Sequence, residues 1–500
     1  MDQSRRDILG GLALPLAMSP AVAQPLRPLP QRRAPAKKFV ALQIGARSFV
    51  DEGVDDTLDT LQRVGGVNVV MAAVFTYGGG LAGRQSRGQP FPDHGPQEPD
   101  RIHGGSYAAV HPEFYAGSVI KDVRAPDLGD FDILAEVIPR AKSRGMQTYA
   151  LFEENYNPRY IPNFEQIAEI DIYGRVGRAT CFNNPNARAY LASMVADWVT
   201  SNDLDGLMWE SERQGPFNAM IGAHFGDMAP RRAAICCFCD HCIAKAAHQG
   251  LDGNRAREGY KLFDRWVTAL LANRPLGAEG SFMPFWRLMT DYPEILGWHR
   301  FWVASQEEMY AHLYGTAKRI KPALQVGWHI MHLISMSPFF RADNDYARLM
   351  KFSDYLKPST YNNCGGPRFA DYIRNVQAVM YRDFTPEQLL DMHYRLLGLE
   401  GEPTLAQLPT RGMSANSVKV ETARAVDGVG GAIPIYPGID IDIPTRRDEK
   451  RTRPEDVRDA TLAAYAGGAA GVVLSRKYAE MNLSNIAGAG EALRRMGISA

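Results

Sequence analysis

Cysteine is scarce in this chain, and where it occurs it is crowded. There are six in 500 residues, and four of them fall in Cys236-Cys237-Phe238-Cys239-Asp240-His241-Cys242. An excess of either charge is also missing, since Lys plus Arg and Asp plus Glu each number 56. The electrostatic footprint of a nucleic-acid binder or of an anionic-membrane binder is therefore absent. Beyond the N-terminal segment no apolar run reaches the roughly eighteen residues of a spanning helix. Gln43-Ile44-Gly45-Ala46-Arg47 has a single Gly where a dinucleotide turn wants three. No Lys-Ser/Thr follows Gly78-Gly79-Gly80 as a phosphate loop requires. No Ser nucleophile elbow and no internal repeat is present. What is left, 45% hydrophobic and 22% charged, is an ordinary globular composition.

The N-terminus reads as an address. Ser4-Arg5-Arg6-Asp7-Ile8-Leu9 precedes an apolar run from Gly10 to Met18, and Ala21-Val22-Ala23 offers a small-residue cleavage site. The order resembles a twin-arginine export signal over 1–23. It predicts an exported protein, periplasmic or secreted, whose mature form has no membrane partner. Residues 24–37, rich in Pro and Arg, read as a disordered leader.

From residue 38 onward, short apolar runs alternate with helical periodicity. Strands are expected at 38–44, 67–75, 147–152, 204–210, 324–330, 353–361, 431–436 and 471–477, each followed by a helical pattern. Two long excursions interrupt the series, at 76–128 and 213–297. Eight strand–helix units without consecutive strands predict one α/β domain over 38–500, a single (β/α)8 TIM barrel with long βα-loop insertions.

In such a barrel the C-terminal strand ends share one mouth. The ends carry Arg47, Tyr77, Glu153 and Glu154, Glu210 and Glu212, His329, Lys357 and Tyr361, Asp440 and Asp442, then Arg476 and Lys477. Paired carboxylates with aromatics suit glycosidic bond cleavage. One acid protonates the leaving oxygen, and the other attacks the anomeric carbon or activates water. Glu210, Glu212, Asp440 and Asp442 are the candidate catalytic carboxylates. Glu153, Glu154, Trp209, His329, Tyr361, Arg476 and Lys477 are candidates to hold a carbohydrate substrate. Only one of Glu210 and Glu212 is expected to point squarely into the mouth, unless the strand ends between them. No cofactor is expected for catalysis, and homo-oligomerisation is left open.

Cys237-x-Cys239-x-x-Cys242 puts three thiols on one tight knuckle. Disulfides between such neighbours are strained, whereas a tetrahedral zinc ion accepts the spacing. His241, Cys181 and Cys236 are all available as a fourth ligand.

Gly206-Leu207-Met208-Trp209-Glu210-Ser211-Glu212 is similar in position and spacing to the fourth-strand Asp-Asn-Glu of clan A glycoside hydrolases, above all the family 42 β-galactosidases. There the final Glu is the acid/base, which the resemblance carries onto Glu212. The same family has a Cys-x-Cys-x-x-Cys knuckle after that strand, matched by Cys237, Cys239 and Cys242. Its fourth zinc ligand precedes the strand, where Thr180-Cys181-Phe182-Asn183-Asn184-Pro185 stands. The resemblance thus implies Cys181, Cys237, Cys239 and Cys242 as a structural zinc site. This sequence departs from the pattern twice. Asp-Asn becomes Glu210-Ser211, and the seventh strand offers Asp440 and Asp442 in place of a nucleophilic Glu. Asp205-Gly206-Leu207-Met208-Trp209-Glu210 also resembles the Asp-Gly-Ile-x-x-Asp of α-fucosidase-like barrels, in which the last acid is the nucleophile.

Overall fold

The computed structural model describes residues 38–77, 81–85, 88–154, 161–226, 235–274 and 277–498. The expected export signal and leader lie outside them. Eight strands run parallel: β1 (Phe39–Gly45), β2 (Val69–Thr76), β3 (Gln147–Glu153), β4 (Gly206–Glu210), β5 (Gln325–Ile330), β6 (Tyr355–Pro358), β7 (Gly438–Asp440) and β8 (Gly471–Ser475). Their hydrogen-bonded order is β7-β8-β1-β2-β3-β4-β5-β6. The remaining seam, β6 to β7, is closed by two parallel bridges, Leu356 to Ile435 and Ser359 to Gly438. The chain is a single (β/α)8 barrel.

One strand lies later than its pattern predicts. The apolar segment 431–436 is not a strand apart from the bridge at Ile435, and β7 begins at Gly438. The reason is chemical: Pro434 and Pro437 have no N–H to donate to a ladder.

The helices following these strands are α1 (Val54–Gly65), α2 (Ile133–Ser143), α3 (Pro185–Ser201), α4 (Glu294–Ile320), α5 (Tyr346–Leu349), α6 (Ala415–Gly428), α7 (Pro454–Ala466) and α8 (Leu483–Arg495). Their ends follow local rules. Asp132 starts α2 by accepting from Leu134 N and Ala135 N, and Asn184 starts α3 by accepting from Asn186 N just before Pro185. Gly66, at φ 64°, closes α1 in the left-handed conformation that favours glycine.

Alternation along the strands sorts the side chains. Outward residues join one large core between sheet and helices, which includes Trp209 packed on Phe152, Phe182 and Tyr310. Inward residues fill the barrel. Phe39, Tyr149, Tyr355 and Tyr436 plug its floor, with Phe39 stacked on Tyr436 at 3.8 Å between ring centres. Two glycines make that plug possible. A Cβ at Gly206 would lie 2.3 Å from the Tyr149 ring, and one at Gly327 would lie 2.4 Å from the Tyr355 ring. Above the plug come Ala41, Met71, Leu151, Met208 and Val473. Each such buried Leu- or Met-sized side chain contributes about 1.5–3 kcal/mol. Two residues further along the strands, the interior turns polar.

The excursion 76–128 adds Gly105–Ser106 antiparallel to the end of β2 and sends Leu81 into the interior cluster. The excursion 213–297 contributes helices Gly215–Met220, Asp240–His248, Gly253–Leu271 and Phe282–Asp291.

Candidate active site

Gln43, Glu153, Glu210, His329, Lys357 and Ser475 each follow an inward-facing residue by two, so the strand period delivers them to one mouth. The ladder sets their neighbours: Glu153 pairs in register with Glu210, and His329 with Lys357. Gln43 Nε2 donates to Glu210 Oε1 at 2.7 Å. The Ser475 hydroxyl donates to Gln43 Oε1 at 2.7 Å, which fixes the amide so that its NH2 faces the carboxylate.

His329 is the hub. Its Nδ1 lies 3.4 Å from Glu210 Oε1 and its Nε2 lies 3.3 Å from Glu212 Oε1. Both glutamates therefore reach the same imidazole. The strand does end between them, at Glu210, which is the condition under which both were expected to reach the mouth, and residues two apart share a face of a strand in any case. Lys357 Nζ stands 3.0 Å from His329 Nδ1 and donates to Tyr361 OH at 2.7 Å. An ammonium offers only donors, so Nδ1 accepts and the Nε2–H points at Glu212. Lys357 is fully buried and also lies 4.0 Å from Glu210 Oε1. Gly438 leaves room for this pair: a Cβ there would come within 2.9 Å of both Lys357 Cε and Tyr361 Cε1.

The mouth separates its carboxyls electrostatically. Burial, then the charge of Glu210, pushes Glu153 up to about 8, against a weaker pull from the Leu81 N–H. Glu212 goes the other way. Desolvation acts to raise it, but the hydrogen bond from His329, with the charges of Arg368 and Arg476, holds it down at about 2. Its side chain is 46% exposed, so solvent and a ligand can reach it. Tyr77 stands among these groups, its hydroxyl pushed up first by Glu153. Arg476 forms a bidentate pair with Glu480 at 2.9 and 2.6 Å and still acts on Tyr77 and Glu153.

The other candidates lie elsewhere. Trp209 faces outward in the aromatic core. Glu154, next to Glu153, faces outward too, and pairs with Arg213 at 2.7 Å while accepting from Ser211 at 2.6 Å. Arg213 also pairs with Glu169 and lies over the Phe182 ring at 4.3 Å. Asp440 is fully buried, accepting from the N–H groups of Cys364 and Ile443. Asp442 turns to the start of α8, where Asn482 N at 2.8 Å and Asn485 Nδ2 at 2.9 Å donate to it. Lys477 is buried against Glu480 and the Arg84 carbonyl. The sequence reading overlooked Gln43, Ser475 and Arg368. Gln43 had a signal, being the single polar residue in an otherwise apolar strand.

Away from the mouth, Cys181 joins Cys237, Cys239 and Cys242, with all four sulfurs within 4.8 Å of one another. Cys181 Sγ lies 3.6 Å from Cys239 Sγ and 3.5 Å from Cys242 Sγ. Four sulfurs at about 2.3 Å from one tetrahedral zinc are about 3.8 Å apart. Ile170 N and Asn183 Nδ2 donate to Cys237 Sγ and Cys242 Sγ at 3.4 and 3.3 Å, which is suitable support for thiolates. The residues present fit a zinc ion. His241 is exposed, and Cys236 lies against Glu169 instead.

No protein-family model and no curated protein matches this sequence. Among solved structures it is similar to α-L-fucosidase isoenzyme 2 from Paenibacillus thiaminolyticus, at 14% identity and a TM-score of 0.49, over 92% of this chain and 49% of that one. It is similar to the β-galactosidase of the Antarctic haloarchaeon Halorubrum lacusprofundi, at 14% identity and a TM-score of 0.49, over 92% and 58%. It is also similar to Gan42B, a GH42 β-galactosidase from G. stearothermophilus, at 13% identity and a TM-score of 0.47, over 93% and 57%. This chain thus spans about half to three-fifths of those proteins. The barrel assignment itself rests on the strand ladder.

Proposed function

We propose that this protein is a glycoside hydrolase in which Glu153 is the proton donor and Glu212 the ionised carboxylate. What supports the reading is the gathering of three carboxyls in one mouth in different settings: Glu153 is buried in register with Glu210, which pushes it toward the protonated form, while Glu212 is reachable by solvent and bonded to His329, which favours its ionised form. A general acid must hold its proton at neutral pH, and the group facing the anomeric carbon must not. Glu153 protonates the leaving oxygen. Glu212 attacks the anomeric carbon or takes a proton from water. Glu210, held by Gln43 and in register with Glu153, is the further carboxyl that would favour positive charge developing on the sugar ring. The resemblance of 206–212 carries the acid/base role onto Glu212, but a carboxylate held near 2 is a poor proton donor, so that role passes to Glu153.

The test is turnover on a panel of chromogenic glycosides and oligosaccharides, with Glu153→Gln, Glu210→Gln and Glu212→Gln compared by melting and by rate. The expected result is intact folding with turnover lost by 10²-fold or more in Glu153→Gln and Glu212→Gln. Retained activity in both variants overturns the assignment.

The buried Lys357 on His329 and Tyr361 favours a second reading, a lyase or isomerase acting on sugar acids with Lys357 as the proton-transfer group. An unsaturated, ultraviolet-absorbing product distinguishes it.

We further propose that Cys181, Cys237, Cys239 and Cys242 hold one structural zinc ion. The Arg5-Arg6 segment supports export of the protein to the periplasm or beyond. Fractionation of cells expressing the full chain, with and without Arg5→Lys and Arg6→Lys, tests that address.

A further inference from the structure

Arg368 sits in the first turn of the helix Gly365–Val379, whose preceding residue Cys364 supplies no side-chain cap. Its guanidinium lies 4.5 Å from the Phe225 ring and 5.9 Å from the Tyr361 ring. It donates to His332 Nδ1 at 3.2 Å. Among the described residues no carboxylate lies within 4.0 Å of it, whereas Arg476 is closed on Glu480. Asp440, whose carboxyl feels the Arg368 charge, has an oxygen on each of two backbone N–H groups.

Such a position is unusual on two counts. A helix N-terminus carries partial positive charge, so a cation there is unfavourable unless an anion joins it. A partly buried guanidinium is normally matched by a carboxylate. The guanidinium lies near the Phe225 and Tyr361 rings, and its charge is felt by Glu212 in the mouth. Through the Tyr361 ring a chain of contacts links the position to the mouth. Tyr361 accepts from Lys357, Lys357 touches His329, and His329 holds Glu212.

We infer that the sugar bound in this mouth is a uronic acid, whose carboxylate pairs with the Arg368 guanidinium. A carboxylate is planar and takes two parallel N–H bonds from such a fork. The inference rests on the reading of the mouth as a sugar site, and holds for hydrolysis of a uronide as for elimination from one.

The test is calorimetric titration of the full chain with D-glucuronate, D-galacturonate and D-mannuronate, each against its methyl ester and against galactose 6-sulfate. The ester keeps the size and removes the charge. At least one uronate is expected to bind tenfold or more tighter than its ester. Arg368→Met is expected to remove that discrimination and Arg368→Lys to retain only part of it, both with melting close to wild type. Equal binding of acid and ester, unchanged discrimination in Arg368→Met, or preference for the sulfate ester overturns the inference. Binding and turnover fail separately. Uronate held through Arg368 with no glycoside cleaved removes the hydrolase reading alone. Cleavage of neutral glycosides with no uronate bound removes this inference alone.

Discussion

Lys357 donates to the Nδ1 of His329, and this contact decides which proton the imidazole presents to Glu212. If Lys357 is replaced by Met, Nδ1 loses its donor and the tautomer is no longer fixed. The hydrogen bond that lowers Glu212 then weakens, and its pKa rises toward the ordinary carboxylate range. The expected outcome is a loss of about 10²-fold in kcat, with the acid limb of the pH–rate profile moved upward. A fall in rate with an unmoved acid limb would assign Lys357 a purely packing role.

Glu153 makes stability depend on pH. Its folded value of about 8 lies above the ordinary 4.5, so between those values the fold holds a proton that the unfolded chain has released. Stability is therefore fully present below about pH 4.5 and is lost as pH rises through 8. A shift of this size corresponds to roughly 3–5 kcal/mol. Asp442 and Glu169, both raised by burial to about 6, act in the same direction. Thermal melting should decline from pH 6 to pH 9, and Glu153→Gln should flatten much of that decline. An unchanged slope in Glu153→Gln would show that the proton sits elsewhere.

Asp442 is a latch between the β7 loop and α8. Asp442→Asn keeps the left-handed backbone at φ 54°, which Asn tolerates, but puts an amide where Asn482 N and Asn485 Nδ2 donate. The expected cost is about 1–3 kcal/mol in denaturant unfolding, with kcat changed less than fivefold. A loss of turnover at unchanged stability would return Asp442 to the catalytic set.

Metal analysis of the purified protein should find one zinc per chain. Cys239→Ser, or exhaustive chelation, should remove it and lower the melting temperature, because binding to a folded site is folding free energy. A metal-free protein with all six thiols titratable and wild-type stability would dismiss the ion.

Gly438→Ala drives a methyl group onto Lys357 and Tyr361. Displacing either disturbs the tautomer contact, so turnover should fall about tenfold or more while melting moves little. Equal kinetics in the two proteins would mean that the pair can shift without consequence.

The barrel was legible because buried parallel strands write themselves as apolar runs, and the helices between them carry their own caps. Strand seven was misplaced because apolar content in 431–436 outweighed the two prolines that disable its ladder. The site was legible in part. Glu210, Glu212, His329, Tyr361 and Arg476 do converge at or around the mouth. Glu154 and Trp209 were misassigned although alternation alone argues against them, each being the neighbour of an inward residue. Asp440 and Asp442 lie just where a strand end should be, and only their backbone donors reveal that they are occupied with structure. Arg368 carries no local signal: it stands on a loop helix ten residues beyond β6, and reaches the mouth only through tertiary packing.

The two bridges at Ile435 and Gly438 make the β6–β7 junction the least cross-linked sector of the wall. Lys357 and Tyr361 stand on one side of that junction, and Gly438 faces them from the other. Breathing there would widen the mouth and release the histidine contact in the same movement. Amide exchange in 355–361 and 434–440 should then outpace that of β1 to β4, and a ligand held against Tyr361 should slow it.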